Sequence, residues 1–146
     1  MNQPTHQHEA PYRQGLHIVK TAWIEACLAQ SGEQFEQQYF SIAERHRTQI
    51  RAPYAQYLAG RFAAKATILQ ILHIQLETFD RWHDIEIKNW PHGEPFVTLD
   101  GYCQKLAADL HLNNWLLSIS HISTYAAASV IARLKSPFHK EKSPFR

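Results

Sequence analysis

The chain has 146 residues, room for one domain with its own core, and 45% hydrophobic against 19% charged residues marks a folded body rather than a disordered polymer. The formal charge of +2 is too small to argue for a nucleic-acid partner, although ten histidines make the real charge climb below pH 7. No apolar stretch is long enough to span a membrane, and "MNQPTHQHEAPYRQG" lacks the apolar centre of a signal peptide. Cys27 and Cys103 form neither a metal-binding spacing nor a disulfide framework, so a reducing cytoplasm is the expected location.

Residues 1–14 are polar, carry Pro4 and Pro11, and read as a loose arm before a domain spanning 15–134. "GLHIVKTAWI" opens with a short strand and continues as a helix to about Gln30. Ser41 and Glu44 make a Ser-x-x-Glu capping box, which predicts a helix starting there and ending at Pro53. The next helix runs from Tyr57 to about Thr78. "HDIEIKNW" alternates Ile85 and Ile87 with Asp84, Glu86 and Lys88, as a half-buried strand does; "PHGEP" is a turn, and "FVTL" closes a hairpin. "YCQKLAADLHL" is an amphipathic helix ended by Asn113 and Asn114. "WLLSISHI" and "TYAAASVIARL" are strands. The tail from 135 to 146 repeats Lys-Ser-Pro-Phe, and its prolines and charges read as a disordered basic segment or a short docking motif. These elements give an α+β fold, a small antiparallel sheet packed with helices.

The 57–78 helix holds one anomaly. Leu58, Phe62, Leu69 and Leu72 form an apolar stripe, and Lys65 falls inside it. Either its stem covers apolar surface while the ammonium reaches water, or the ammonium stands at a pocket edge to meet an anion, with Arg61 one turn earlier serving the same pocket. Ala59, Ala63 and Ala66 form a second face on which another backbone can pack. On the last strands, His121 shares a face with Leu117 and Ile119, which taken alone suits a hydrogen-bonded core histidine. Trp23, Trp82, Trp90 and Trp115 form no single stripe and read as core or interface aromatics.

"GLHIV" at 15–19, "YLAGRFAAKA" at 57–66, "DIEI…GEPFVTL" at 84–99 and "LSISH…YAAASVI" at 117–131 together resemble the AcpS-type holo-acyl-carrier-protein synthases, the small phosphopantetheinyl transferases. "FSIAE" resembles the family's Phe-(Ser/Thr)-x-x-Glu segment. The likeness covers about 15–133. It implies the phosphopantetheinyl transferase fold, coenzyme A as substrate, an acyl carrier protein as partner, and a homotrimer with its active site between subunits. The implied reaction moves 4′-phosphopantetheine from coenzyme A to a carrier serine, releasing 3′,5′-adenosine bisphosphate.

By the same resemblance, Lys65 is the candidate catalytic residue, and Arg61, Lys65, Ser118, Ser120 and His121 are the candidate coenzyme contacts. Relatives hold magnesium with two carboxylates; here those positions are His17 and Ala66, leaving His17 as a weak, altered metal ligand. Asp84, Glu86 and Glu77 are possible replacements. Gln70 stands where a second lysine is usual, Trp23 where an arginine often meets the carrier, and "LHIQLETFD" where a glycine turn is usual. Three readings follow: a transferase lacking both usual carboxylates, a non-catalytic relative that binds a carrier protein, coenzyme A or a partner subunit, or a subunit that pairs with an intact synthase.

Overall fold

The computed structural model describes residues 11–45 and 53–135. The first strand, β1 (Tyr12–Lys20), alternates outward and inward side chains along its length, with Val19 fully inward. It begins at Tyr12, ahead of the predicted Gly15. The chain turns at Lys20 into α1 (Thr21–Tyr39), which is kinked at Gly32 and runs well past Gln30. After the second helix, α2 (Tyr54–Ile71), two short 3-10 turns lead to the hairpin of β2 (Ile85–Asn89) and β3 (Pro95–Leu99). Then come α3 (Gly101–Asp109), β4 (Leu112–His121) and β5 (Tyr125–Leu134). The predicted hairpin and both final strands are present. The α+β architecture is confirmed, with the strands divided between two sheets.

The larger sheet has order β1-β5-β4, antiparallel throughout. His17 lies opposite Ala128 and Leu16 opposite Ser129, while Ser118 faces Ser129 and Ser120 faces Ala127. β2 and β3 form a separate ladder, with Ile87 opposite Val97. Alternation gives the larger sheet an inner face of Val19, Ala126, Ala128, Val130 and Ala132, against which α2 packs.

The predicted single stripe on α2 is corrected. From Leu58 to Ile71 nearly every side chain is buried, because sheet, α1 and hairpin surround the helix. Small residues permit this approach. A Cβ on Gly60 would come within 2.8 Å of Ile119 Cγ2, and one on Gly15 within 2.9 Å of Thr67 Cγ2. Leu58, Ile68 and Leu69 are fully buried, each contributing roughly 1.5–3 kcal/mol by removal from water. The helix stops at Ile71, short of Thr78, where His73 takes a positive φ of 57°.

The capping box at Ser41 forms as its sequence predicts. Ser41 N–H donates to Glu44 Oε1 at 2.9 Å, and Glu44 N–H donates to Ser41 Oγ at 3.2 Å. Residues 42–45 form a turn, and the helix expected beyond them falls at 46–52, outside the described residues. The N-terminal arm through residue 10 and the repeated tail from residue 136 also lie outside them. α3 is capped from a distance: Asp84 Oδ2 accepts from the N–H groups of Tyr102, at 2.9 Å, and Cys103, at 3.3 Å.

Candidate functional site

A lysine in an apolar helix must keep its charge in water or find a buried anion. Lys65 finds the anion. Its Nζ lies 2.6 Å from Glu44 Oε1, with both side chains fully buried. The ammonium also donates to the carbonyls of Tyr39, at 2.6 Å, and Trp82, at 3.4 Å. Glu44 Oε2 accepts from Ile87 N–H at 3.2 Å. The alternative in which this ammonium reaches water is therefore corrected: it ties α2 to the end of α1, the capping turn and β2. Burial pushes Lys65 below the usual lysine range, and the Glu44 carboxylate opposes that shift. Phe40, Trp82, Phe62 and Tyr39 surround the junction with edge-to-face and stacked rings.

Arg61, one turn earlier, is only 7% exposed. Its Nη2 donates to Asn89 Oδ1 at 2.6 Å, and its guanidinium stacks over the Tyr57 ring at 4.6 Å. Its Nε is buried without a hydrogen-bond partner. Nearer the start of α2, Gln56 Oε1 lies 3.0 Å from His121 Nδ1 on β4. His121 has the strand parity of Leu117 and Ile119 but stands exposed at the strand end, so it is not a core histidine. Ser118 and Ser120 point to the opposite, outward face.

Ile18, Ser120, His121, Ile122, Tyr125 and Ala127 line an open depression of about 360 Å³ at this end of the sheet. It continues into an apolar outward face where Leu16 and Ile18 are each 59% exposed, Leu116 63% and Ile122 62%. His17 points the other way. It alternates with Leu16 and Ile18 and shares the parity of Gly15, which abuts Thr67 on α2. Desolvation lowers its pKa below the ordinary histidine value.

The structure thus gathers Ser120 and His121 at the depression, with Arg61 beside the Gln56–Tyr57 end of α2. Lys65 is enclosed in the interior and His17 lies on the inner sheet face. Among the described residues, no three His, Cys, Asp or Glu side chains converge as a metal-binding group. Asp84 is committed to the α3 cap and to Arg81, 3.3 Å away, and Glu86 pairs with Lys88 at 3.0 Å. The sequence marks Glu44 by its capping box and by its place in "FSIAE", and marks neither Gln56 nor Asn89. The need of a buried lysine for an anion was the signal pointing to Glu44; the two amides lie outside any motif.

No family model matches the sequence. The holo-[acyl-carrier-protein] synthase of Geobacter metallireducens is 33% identical over 117 residues, which cover 80% of this chain and 93% of the relative. That of Vibrio parahaemolyticus is 35% identical over the same shares. Among solved structures, a synthase–coenzyme A complex from Chronobacterium ammoniagenes superposes with a TM-score of 0.75 at 27% identity, covering 88% of this chain and 100% of that one. The Helicobacter pylori synthase in complex with coenzyme A gives 0.69 at 25% identity, covering 82% and 99%. Sequence likeness over nearly the whole length of the relatives and a shared fold agree: the chain belongs to the holo-acyl-carrier-protein synthase family.

Proposed function

We propose that the protein transfers 4′-phosphopantetheine from coenzyme A to a serine of an acyl carrier protein, at a site completed between copies of the chain in a homotrimer. The observation that carries this reading is the outward sheet face, where an exposed apolar patch runs into the depression holding Ser120 and His121. An exposed patch of this kind marks an interface. A depression on its margin supplies half of a pocket, and a second copy would supply the rest.

Coenzyme A brings phosphates and a nucleoside. Arg61 offers a fixed guanidinium whose Nε still lacks a partner, so it is the cation that would gather phosphate oxygens. His121, Ser120 and Ser118 offer polar contacts at the sheet end and along the outward face. The carrier serine oxygen bonds to the phosphorus of the phosphopantetheine arm as its proton passes to water, the phosphoanhydride bond breaks, and 3′,5′-adenosine bisphosphate leaves. Lys65 contributes from behind this surface: its ammonium is occupied by Glu44 and two carbonyls, so we assign it to holding α2, which carries Arg61, against β2.

Relatives' magnesium does not fit the donors at hand. His17 offers an imidazole and Ala66 a methyl group, whereas magnesium takes oxygen ligands. Asp84, Glu86 and Glu44 are each committed to partners within the fold, and Glu77 stands exposed on the 3-10 turn Leu76–Thr78. No step is assigned to the metal, and we propose that transfer is slow, since loss of charge neutralisation on the phosphates costs several kcal/mol of transition-state stabilisation. The missing carboxylates also favour a second reading, a scaffold that binds coenzyme A or a carrier protein without transfer, alone or beside an intact synthase.

Oligomeric state and coenzyme binding test the interfacial site together. Light scattering is expected to give a trimer at micromolar concentration, and calorimetry a single class of coenzyme A site. Ile18→Lys, which puts a charge into the outward apolar patch, is expected to give a folded monomer with coenzyme A affinity reduced at least tenfold. A parent monomer that binds coenzyme A as tightly as its relatives do would contradict the interfacial site.

A further inference from the structure

We infer that Gln56 is a positioning residue for His121, fixing which ring nitrogen carries the proton and so what the imidazole offers a ligand. The inference rests on the proposed coenzyme site only for its ligand, because the geometry belongs to the chain itself. Gln56 sits half-buried in the first turn of α2, and His121 ends β4 at the rim of the depression. Their side chains meet across 65 residues of sequence, Gln56 Oε1 to His121 Nδ1 at 3.0 Å.

An amide oxygen only accepts, so the ring nitrogen facing it must carry hydrogen. The neutral imidazole is then the Nδ1–H tautomer, and Nε2 keeps its lone pair. A free neutral histidine side chain prefers the opposite form, with the proton on Nε2. The hydrogen bond therefore selects the tautomer and limits ring rotation, as partners of functional histidines do elsewhere. Nε2 has no hydrogen-bond partner among the described residues. Neutral His121 thus presents an acceptor to the depression's rim, suited to a hydroxyl or amino donor of a nucleoside rather than to a bare phosphate oxygen. The same helix turn carries Tyr57, stacked under Arg61, so the phosphate-facing cation and the histidine are set by adjacent residues of α2.

The test uses the full chain labelled with nitrogen-15 histidine. Long-range proton–nitrogen correlation spectra at neutral pH read the tautomer, with His121→Gln identifying the signals. The expected result is an Nδ1–H ring in the parent, a shift toward Nε2–H in Gln56→Met, and retention of Nδ1–H in Gln56→Glu, which keeps an acceptor oxygen. Coenzyme A affinity should fall about three- to tenfold in Gln56→Met, the size of one hydrogen bond. An Nε2–H ring in the parent, or a tautomer unchanged by Gln56→Met, would overturn the inference. Should the parent fail to bind coenzyme A, the proposed function falls, while the spectra still decide the role of Gln56.

Discussion

Lys65→Met is expected to destabilise the fold by about 3–5 kcal/mol, because it leaves the Glu44 carboxylate buried without its counter-charge. For a chain of this size that corresponds to a melting temperature lower by roughly 10–15 °C. Glu44→Gln should cost a similar amount, since the ammonium is then the uncompensated charge, even though the amide can still accept the Ser41 N–H. Lys65→Met with Glu44→Gln removes both charges and keeps similar volumes. The double variant should melt well above either single one, within about 1–2 kcal/mol of the parent. Thermal melts of the four proteins close this cycle, whose coupling energy measures the pair itself. Additive losses would mean that Lys65 and Glu44 act independently, contrary to their 2.6 Å contact.

Placing carboxylates at the two positions where the family resemblance implies magnesium ligands should give the second large effect. Ala66 is fully buried, and His17 lies on the sheet face against which α2 packs, where the residue after Ala66, Thr67, reaches both Gly15 and the carbonyl of Ala128, the ladder partner of His17. His17→Asp with Ala66→Glu would place two carboxylates in this poorly solvated space. Without metal the double variant should be less stable than the parent, because buried like charges repel and lose hydration. Magnesium at about a hundred times its dissociation constant should return roughly 2.7 kcal/mol, a rise of about 5–10 °C, while the parent's melting point stays unchanged. Each single change should respond little, since one carboxylate cannot fix the metal's geometry. A folded double variant indifferent to magnesium would show that these positions do not face one another as the family resemblance implies.

The elements legible in the sequence were those with short-range rules. Alternation marks β2, and the "PHGEP" turn marks the hairpin, since both patterns are local. The capping box was legible for the same reason, its two hydrogen bonds being local. Less legible was everything decided by distant packing. α2 lost its stripe because three sets of neighbours surround it, and α1 passes Gln30 because a kink at Gly32 lets it continue toward the aromatic junction. The lone lysine in α2 announced a problem, but its solution, Glu44, was already explained by the capping box; one carboxylate serves both. Asp84 fits the strand pattern yet caps α3, a role set by the return of the chain at Gly101. At the candidate site, resemblance named Arg61, Ser120 and His121, while Gln56 and Asn89 emerged only from the contacts of α2 with β4 and β2.

Mass spectrometry of apo-acyl carrier proteins incubated with this protein and coenzyme A reads phosphopantetheine transfer itself. The reaction is run with magnesium supplied and with divalent metal removed by chelator. The expected result is a slow gain of one phosphopantetheine mass on the carrier serine, with release of 3′,5′-adenosine bisphosphate and a rate that magnesium does not raise. No gain on any carrier, from a trimer that still binds coenzyme A, would contradict the transferase assignment and leave the scaffold reading. Transfer that is fast and strictly dependent on magnesium would contradict the altered metal site.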